Sequence, residues 1–130
     1  MSSGAVSRPA RFYPGRAPID AYGNGGFRFA DMSHRGSILC LPSGVHGWDA
    51  ADGAALTPDD LAAVLAEAAD IGFLLLGTGR VQVFPTPGLR AAFADAGIGL
   101  EPMSTGAACR TYNVMLAEGR PVAAALVAVE

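Results

Sequence analysis

Two groups of residues in this chain have the types and spacing for chemistry. The first is a thiol beside a cation, Cys109-Arg110, in the opening turns of a segment that reads as a helix between Ser104 and Gly119. A helix N-terminus lowers a thiol pKa and an adjacent guanidinium lowers it further, the two conditions for a cysteine nucleophile. The second group is a pair of glycine-bearing loops, Gly77-Thr78-Gly79-Arg80 and Met103-Ser104-Thr105-Gly106. Glycines let a backbone approach a ligand closely, and the free N–H groups that open a helix favour an anion. If both loops open on one sheet edge, Gly77, Thr78, Gly79, Arg80, Ser104, Thr105, Gly106 and Arg110 would frame a pocket for an anionic metabolite.

Each group also has a plainer reading. At about 100° per residue, Ala108, Cys109, Tyr112, Met115 and Leu116 share one arc of the helix, with Arg110, Asn113 and Ala117 on another. Cys109 then faces inward, where burial raises a thiol pKa, and no His is spaced to act as its base. No catalytic residue is assigned on these grounds. Gly77-Thr78-Gly79 lacks the third glycine of a dinucleotide fingerprint and serves equally well as a tight turn. His34, expected in a polar turn, and His46 stand outside any ligand-spaced cluster, so neither a metal nor a cofactor is expected. A partly buried Arg110 would need a carboxylate or carbonyl partner, which makes the Arg110–Asn113 pair an expected conformational anchor.

The elements that must position these residues read as strands and helices in alternation. Ile19-Asp20-Ala21-Tyr22 and Phe27-Arg28-Phe29 alternate around Gly23-Asn24-Gly25-Gly26, the pattern of a β-hairpin. Residues 37–41 and 45–48 read as further strands. Thr57-Pro58-Asp59-Asp60 is a cap, a first-turn proline and first-turn acids, so a helix is expected from there to about Ala69. Its stripe of Leu61, Val64, Leu65 and Ala68 would be buried, with Asp59, Asp60, Glu67 and Asp70 opposite. Residues 71–76 are continuously apolar, as in a strand covered on both faces. Thr86-Pro87 starts a second helix that Gly97 stops, a short strand follows at 98–100, and Val122 to Val129 closes as another buried strand. The pattern predicts an α/β fold: one domain over 19–130, a mostly parallel or mixed sheet covered by helices, an N-terminal β-hairpin, and a flexible arm over 1–18. Tyr22 and Phe27 on the hairpin, and Asp59, Asp60 and Glu67 on the acidic helix, are the candidate partner surfaces.

Several short motifs along this framework also carry a likeness. MSTGAACRTYNVMLAEGR (103–120), with Ile19-Asp20-Ala21-Tyr22-Gly23, Gly26-Phe27-Arg28-Phe29, His34-Arg35-Gly36-Ser37-Ile38-Leu39 and Leu74-Leu75-Leu76-Gly77-Thr78-Gly79, resembles the mitochondrial complex I assembly factor 3 family and its bacterial relatives. The likeness runs from about Ile19 to Val129. It implies the family's α/β domain and a non-enzymatic interaction protein, an assembly or quality-control factor for a membrane complex. The partners it implies are membrane-complex subunits or other assembly factors. It brings no catalytic site with it.

Composition sets the outer bounds. The chain has 130 residues, 51% of them hydrophobic and 16% charged, which favours a packed domain over disorder. A net charge of −3, with arginine as the sole basic residue besides His, lacks the broad positive footprint of a nucleic-acid binder. Cys40 and Cys109 lie far apart in apolar segments and are expected as buried, reduced thiols. No signal peptide is expected, and prolines at 9, 14 and 18 would break a transit helix. The apolar run at 122–129 is too short to span a bilayer, so no membrane insertion is expected. These features point to a bacterial cytoplasmic protein, and the resemblance implies that it meets a membrane through its partners; a homodimer through a sheet edge or the hairpin is left open.

Overall fold

Along the central strands the side chains divide between two faces, and that division builds the molecule in three layers. The computed structural model describes residues 12–130. Its larger sheet has the order β1 (Phe12–Pro14), β6 (Gly44–Trp48), β5 (Ser37–Leu41), β9 (Val122–Leu126), β7 (Phe73–Gly77), β8 (Gly99–Met103). The pairs β7–β8 and β7–β9 are parallel, while β5–β9, β5–β6 and β1–β6 are antiparallel. The sheet is thus mixed. A smaller antiparallel sheet is formed by β2 (Ala21–Gly23), β3 (Gly26–Phe29) and β4 (Met32–Arg35).

Ile38, Cys40, Leu75, Ala124 and Leu126 point to one face of the larger sheet. There they meet Ala108, Cys109 and Tyr112 of α3 (Thr105–Ala117) and Phe27 and Phe29 of the smaller sheet. Leu39, Leu41, Leu74, Leu76, Ala123 and Ala125 point to the other, against Leu61, Val64, Leu89 and Phe93. These last residues come from the 57–70 segment and from α2 (Pro87–Asp95). Three consecutive alanines in β9, all fully buried, keep the central strand slim enough for both layers to approach it.

Three expectations change. The segment 12–18 is structured: β1 pairs with β6, Ala17 is buried, and the Arg16 guanidinium donates to Val122 O at 2.8 Å. The part of the expected arm before residue 12 lies outside the described residues. The hairpin gains a third strand, β4, which takes His34 out of the expected turn; Ala30 and Asp31 both adopt positive φ to make the connecting turn.

The expected helix over 57–69 is broken into a 3₁₀ turn at Pro58–Leu61, the short α1 at Ala62–Ala66 and a second 3₁₀ turn at Ala68–Asp70. Leu61 and Glu67 leave helical geometry at its joints, with ψ near 23° and 20°. Side-chain bonds tie both ends to the β5–β6 hairpin: Trp48 Nε1 donates to Asp60 O, and Glu67 accepts from Ser43. Thr57 stands at the cap as expected, followed by Pro58, and Asp60 closes a capping box with it, its carboxylate accepting from Thr57 N at 2.8 Å and from Thr57 Oγ1 at 3.1 Å.

Candidate functional site

The two glycine-bearing loops do meet on one edge. Ser104 caps α3 by accepting from Ala107 N at 3.3 Å. Thr105 N donates to Gly79 O at 2.8 Å, and Gly79 N donates to Thr105 Oγ1 at 3.0 Å. Around this junction Tyr22, Gly79, Arg80, Ser104, Gly106 and Arg110 line a recess of about 250 Å³, which Val129 and Glu130 also border.

Not every expected residue reaches it. Thr105 is fully buried and donates its hydroxyl to Val127 O at 2.7 Å. Thr78 is buried too, with Oγ1 donating to Val81 O and accepting from Val83 N. Gly77 is small for the sake of α3, not of a ligand: a Cβ there would lie 3.0 Å from Thr105 Cα and from Leu126 Cδ2. Gly106 is covered by Tyr22, whose hydroxyl would fall within contact of any Cβ at that position.

Arg110 and Asn113 separate. Arg110 is exposed, and Asn113 alone is the anchor. The Asn113 amide accepts from Ile19 N and donates to Ile19 O, both at 2.8 Å, and so ties α3 to the segment leading into β2. The pair is 94 residues apart in sequence, so no local signal could reveal it.

Cys109 lies on the inward arc as expected. Burial pushes its thiol from 9.0 up to about 12, only partly offset by the Arg110 guanidinium. Cys40, fully buried, is pushed up further by burial and by Cys109. Both are free thiols, and neither carries the thiolate character a nucleophile needs.

One polar constellation was not visible in the sequence. Ser43 Oγ donates to Glu67 Oε2 at 2.6 Å and lies 2.9 Å from His46 Nε2, while Ser43 N donates to Glu67 Oε1 at 3.0 Å. The residue types are those of a hydrolase triad, but the order is not. Here the serine sits between acid and imidazole, so its single proton goes to Glu67 and the imidazole is not oriented as its base. The cluster instead fastens the β5–β6 turn to α1. Burial lowers the His46 pKa, with Glu67 opposing that shift.

The partner-surface candidates also divide. Tyr22 is 44% exposed, whereas Phe27 is 2% exposed with its ring in the core and presents nothing to a partner. The hairpin had put both rings forward because alternation alone does not say which is covered; α3 and the larger sheet cover Phe27. Asp59 and Asp60 are exposed, and Glu67 is half-buried and bonded to Ser43. Among the described residues the two most exposed large apolar side chains lie elsewhere, in the loop after β7: Val81 is 66% and Phe84 72% exposed. That loop is pinned by the Thr78 hydroxyl and by Gln82 Nε2, which donates to Pro102 O at 2.9 Å. Among the described residues no group of three or more His, Cys, Asp or Glu could hold a metal, and no helix is long and apolar enough to cross a membrane.

Residues 19–127 match the family model described as Protein of unknown function (DUF498/DUF598). An uncharacterised protein of Rhodobacter capsulatus is 41% identical over 114 residues, covering 88% of this chain and 86% of that protein. The mouse NADH dehydrogenase [ubiquinone] 1 alpha subcomplex assembly factor 3 is 28% identical over 115 residues; the match takes in 88% of this chain but only 62% of the mouse protein. A crystal structure described as an outer membrane protein from Bartonella henselae is 56% identical and superposes with a TM-score of 0.88, covering 91% of this chain and 99% of that one.

Proposed function

We propose, since this chain belongs to the family described as Protein of unknown function (DUF498/DUF598), that it acts by binding other proteins, as an assembly or quality-control factor for a membrane-embedded respiratory complex. The observation that carries this reading is the likeness to the mouse assembly factor along 88% of the chain. The surface is compatible with it. Val81 and Phe84 stand in solvent on a loop already held by Thr78 and Gln82, so little ordering entropy is lost when a partner covers them. On this reading the protein works on the cytoplasmic side and meets the membrane through its partners. The test is affinity capture from solubilised bacterial membranes, with the wild type and with Val81→Ser/Phe84→Ser. Respiratory-complex subunits or other assembly factors are expected with the wild type and not with a variant of unchanged melting temperature. Recovery of no such protein with the wild type would refute the reading.

A second reading is favoured by one observation: Arg80, Ser104, Gly106 and Arg110 line the same recess. A small anionic metabolite would sit there between two guanidiniums. Citrate or inorganic phosphate should then raise the melting temperature of the wild type and leave Arg80→Gln/Arg110→Gln unmoved; no rise in the wild type rejects this reading.

A further inference from the structure

We infer that the open edge of β4 takes up an extended segment of a protein partner as a fourth strand of the smaller sheet, a segment in which acidic and apolar residues alternate. The inference deepens the protein-binding reading above and rests on it. The hydrogen-bond phase of the β3–β4 ladder shows which backbone groups are available. The strands pair as Phe29 with Met32, Arg28 with Ser33, Phe27 with His34 and Gly26 with Arg35, and beyond them Gly36 N donates to Gly25 O at 2.7 Å. Bonded and non-bonded pairs alternate along an antiparallel ladder. The Gly36 bond thus makes Phe27–His34 and Phe29–Met32 the bonded pairs, and Ser33 and Arg35 turn their N–H and C=O groups away from β3. Among the described residues no hydrogen bond reaches those four groups.

Four strands end a sheet, and the other three are blunted. β1 carries Pro14, which has no N–H. In β8, Gly99 N and Met103 O bond on the β7 side, so Leu100 and Pro102 face outward; Pro102 also lacks an N–H, and its carbonyl accepts from Gln82 Nε2. β2 is held to α3, with Asn113 taking both backbone groups of Ile19 and the Tyr22 hydroxyl lying against Gly106.

Side chains set the sequence this edge accepts. Phe27 and Phe29 face the core, so Arg28 points to the opposite face, and the register puts Ser33 and Arg35 there with it. Together with Ala21, Gly23 and Gly26 these three line a recess of about 460 Å³. Arg28 is held by its bond to Ser33 Oγ at 2.9 Å. Glu130 and Arg35 flank Gly25, but among the described residues the one ion pair within 4.0 Å is Arg120 with Glu118. Both guanidiniums therefore keep donors for a partner. An added strand places alternate side chains on this face, where carboxylates meet Arg28 and Arg35. The others fall beside Met32, 39% exposed, where apolar groups are covered. Asp31 in the connecting turn repels an acid at that end and sets the acids toward Arg35.

The probe is a fluorescein-labelled peptide in which Glu alternates with Val. By fluorescence anisotropy it should bind about tenfold or more tightly than its Gln-for-Glu isostere. N-methylation of the alternate residues whose N–H groups meet β4 should abolish binding, and N-methylation of the other set should not. The bound peptide should slow amide exchange at Ser33 and Arg35. Ser33→Pro removes one outward N–H at an edge position and should weaken binding about tenfold. Arg28→Glu/Arg35→Glu should lose the Glu peptide and gain a Lys-for-Glu one, which an unfolded variant could not do. Arg90→Glu, on the exposed side of α2, should change neither, and circular dichroism melts accompany every variant. Equal effects of the two N-methyl sets, equal binding of the Glu and Gln peptides, or full binding by Ser33→Pro overturns the proposal. So does sedimentation showing a wild-type dimer that Ser33→Pro dissociates, which would assign the edge to a second copy. If Ser33→Pro of unchanged melting temperature still captures membrane-complex subunits, this inference fails and the assembly reading stands. If the peptide binds as described but the wild type captures no such subunit, the reverse holds.

Discussion

Asn113 makes the sharpest test of how the layers are joined. Its amide gives two hydrogen bonds to one residue, Ile19, whose side chain is buried in the core shared by α3 and the smaller sheet. Asn113→Ala leaves the Ile19 N–H and C=O without partners in a half-buried position. At about 0.5–1.5 kcal/mol net for each lost bond, the pair is worth about 2 kcal/mol. For a domain of this length that is a fall of roughly 6–10 °C in melting temperature. Asn113→Asp is the more searching variant. Its carboxylate still accepts from Ile19 N but cannot donate to Ile19 O, and two oxygens then face each other, so it should be at least as destabilised at neutral pH. Thermal and urea melts followed by circular dichroism give the numbers. Amide exchange should show residues 19–29 losing protection before the larger sheet. Arg110→Met, one turn away and exposed, should stay within about 0.5 kcal/mol of the wild type. The reasoning is refuted if Asn113→Ala melts within a degree or so of the wild type, or if Arg110→Met is the costlier change.

The remaining expectations concern the core and the polar cluster. Tyr112 is fully buried with no hydrogen-bond partner for its hydroxyl, so Tyr112→Phe should be neutral or stabilise by up to about 1 kcal/mol in urea melts; a clear loss would mean the hydroxyl has a partner. Above pH 9.0 the unfolded chain sheds thiol protons that folded Cys109 keeps until about 12, so the unfolded state binds fewer protons and stability falls as pH rises through that window while staying flat below it. Urea melts in alkaline buffers check this, and Cys109→Ser should flatten the slope. Gly77→Ala should cost about 1–3 kcal/mol because its new methyl meets the Thr105 backbone, and a melt like the wild type would contradict that packing. His46 should titrate below 6.5 by NMR, and Glu67→Gln should lower it further, since Glu67 opposes the burial shift; an upward move would contradict the assignment.

How much of this was legible in the sequence depended on whether the governing interaction was local. Thr86-Pro87 announced α2, because the Thr86 hydroxyl accepts from Leu89 N only three residues on. Ser104 and Gly119 bounded α3 for similar reasons, and the helical projection put Cys109 inward correctly. The strand β1 was hidden because Phe12-Tyr13-Pro14 is a strand only by virtue of β6, which lies far along the chain. β4 was hidden because Met32-Ser33-His34-Arg35 has no alternation to show on a mostly exposed edge. The break in the 57–70 helix follows from Trp48 and Ser43 on another element. At the site, the sequence left open whether the two loops share an edge, because only the backbone bond between Thr105 and Gly79, from different elements, brings them together. The inward turn of Thr78 and Thr105 depended on carbonyls at Val81 and Val127 that spacing could not place.

The mixed character of the larger sheet has a kinetic side. β9 lies between β5, which it meets antiparallel, and β7, which it meets parallel, and no ladder joins those two directly. The β5–β6 hairpin can close early by itself, but its link to the parallel half waits for residues 122–126. The bond between Ala128 N and the Ser37 hydroxyl spans 91 positions. Loop-closure entropy must be met in full before such contacts reward it, so collapse should run well ahead of native pairing. Until β9 is seated, β5 and β7 each present an open apolar edge, and the refolding chain is then most prone to pair with another copy of itself.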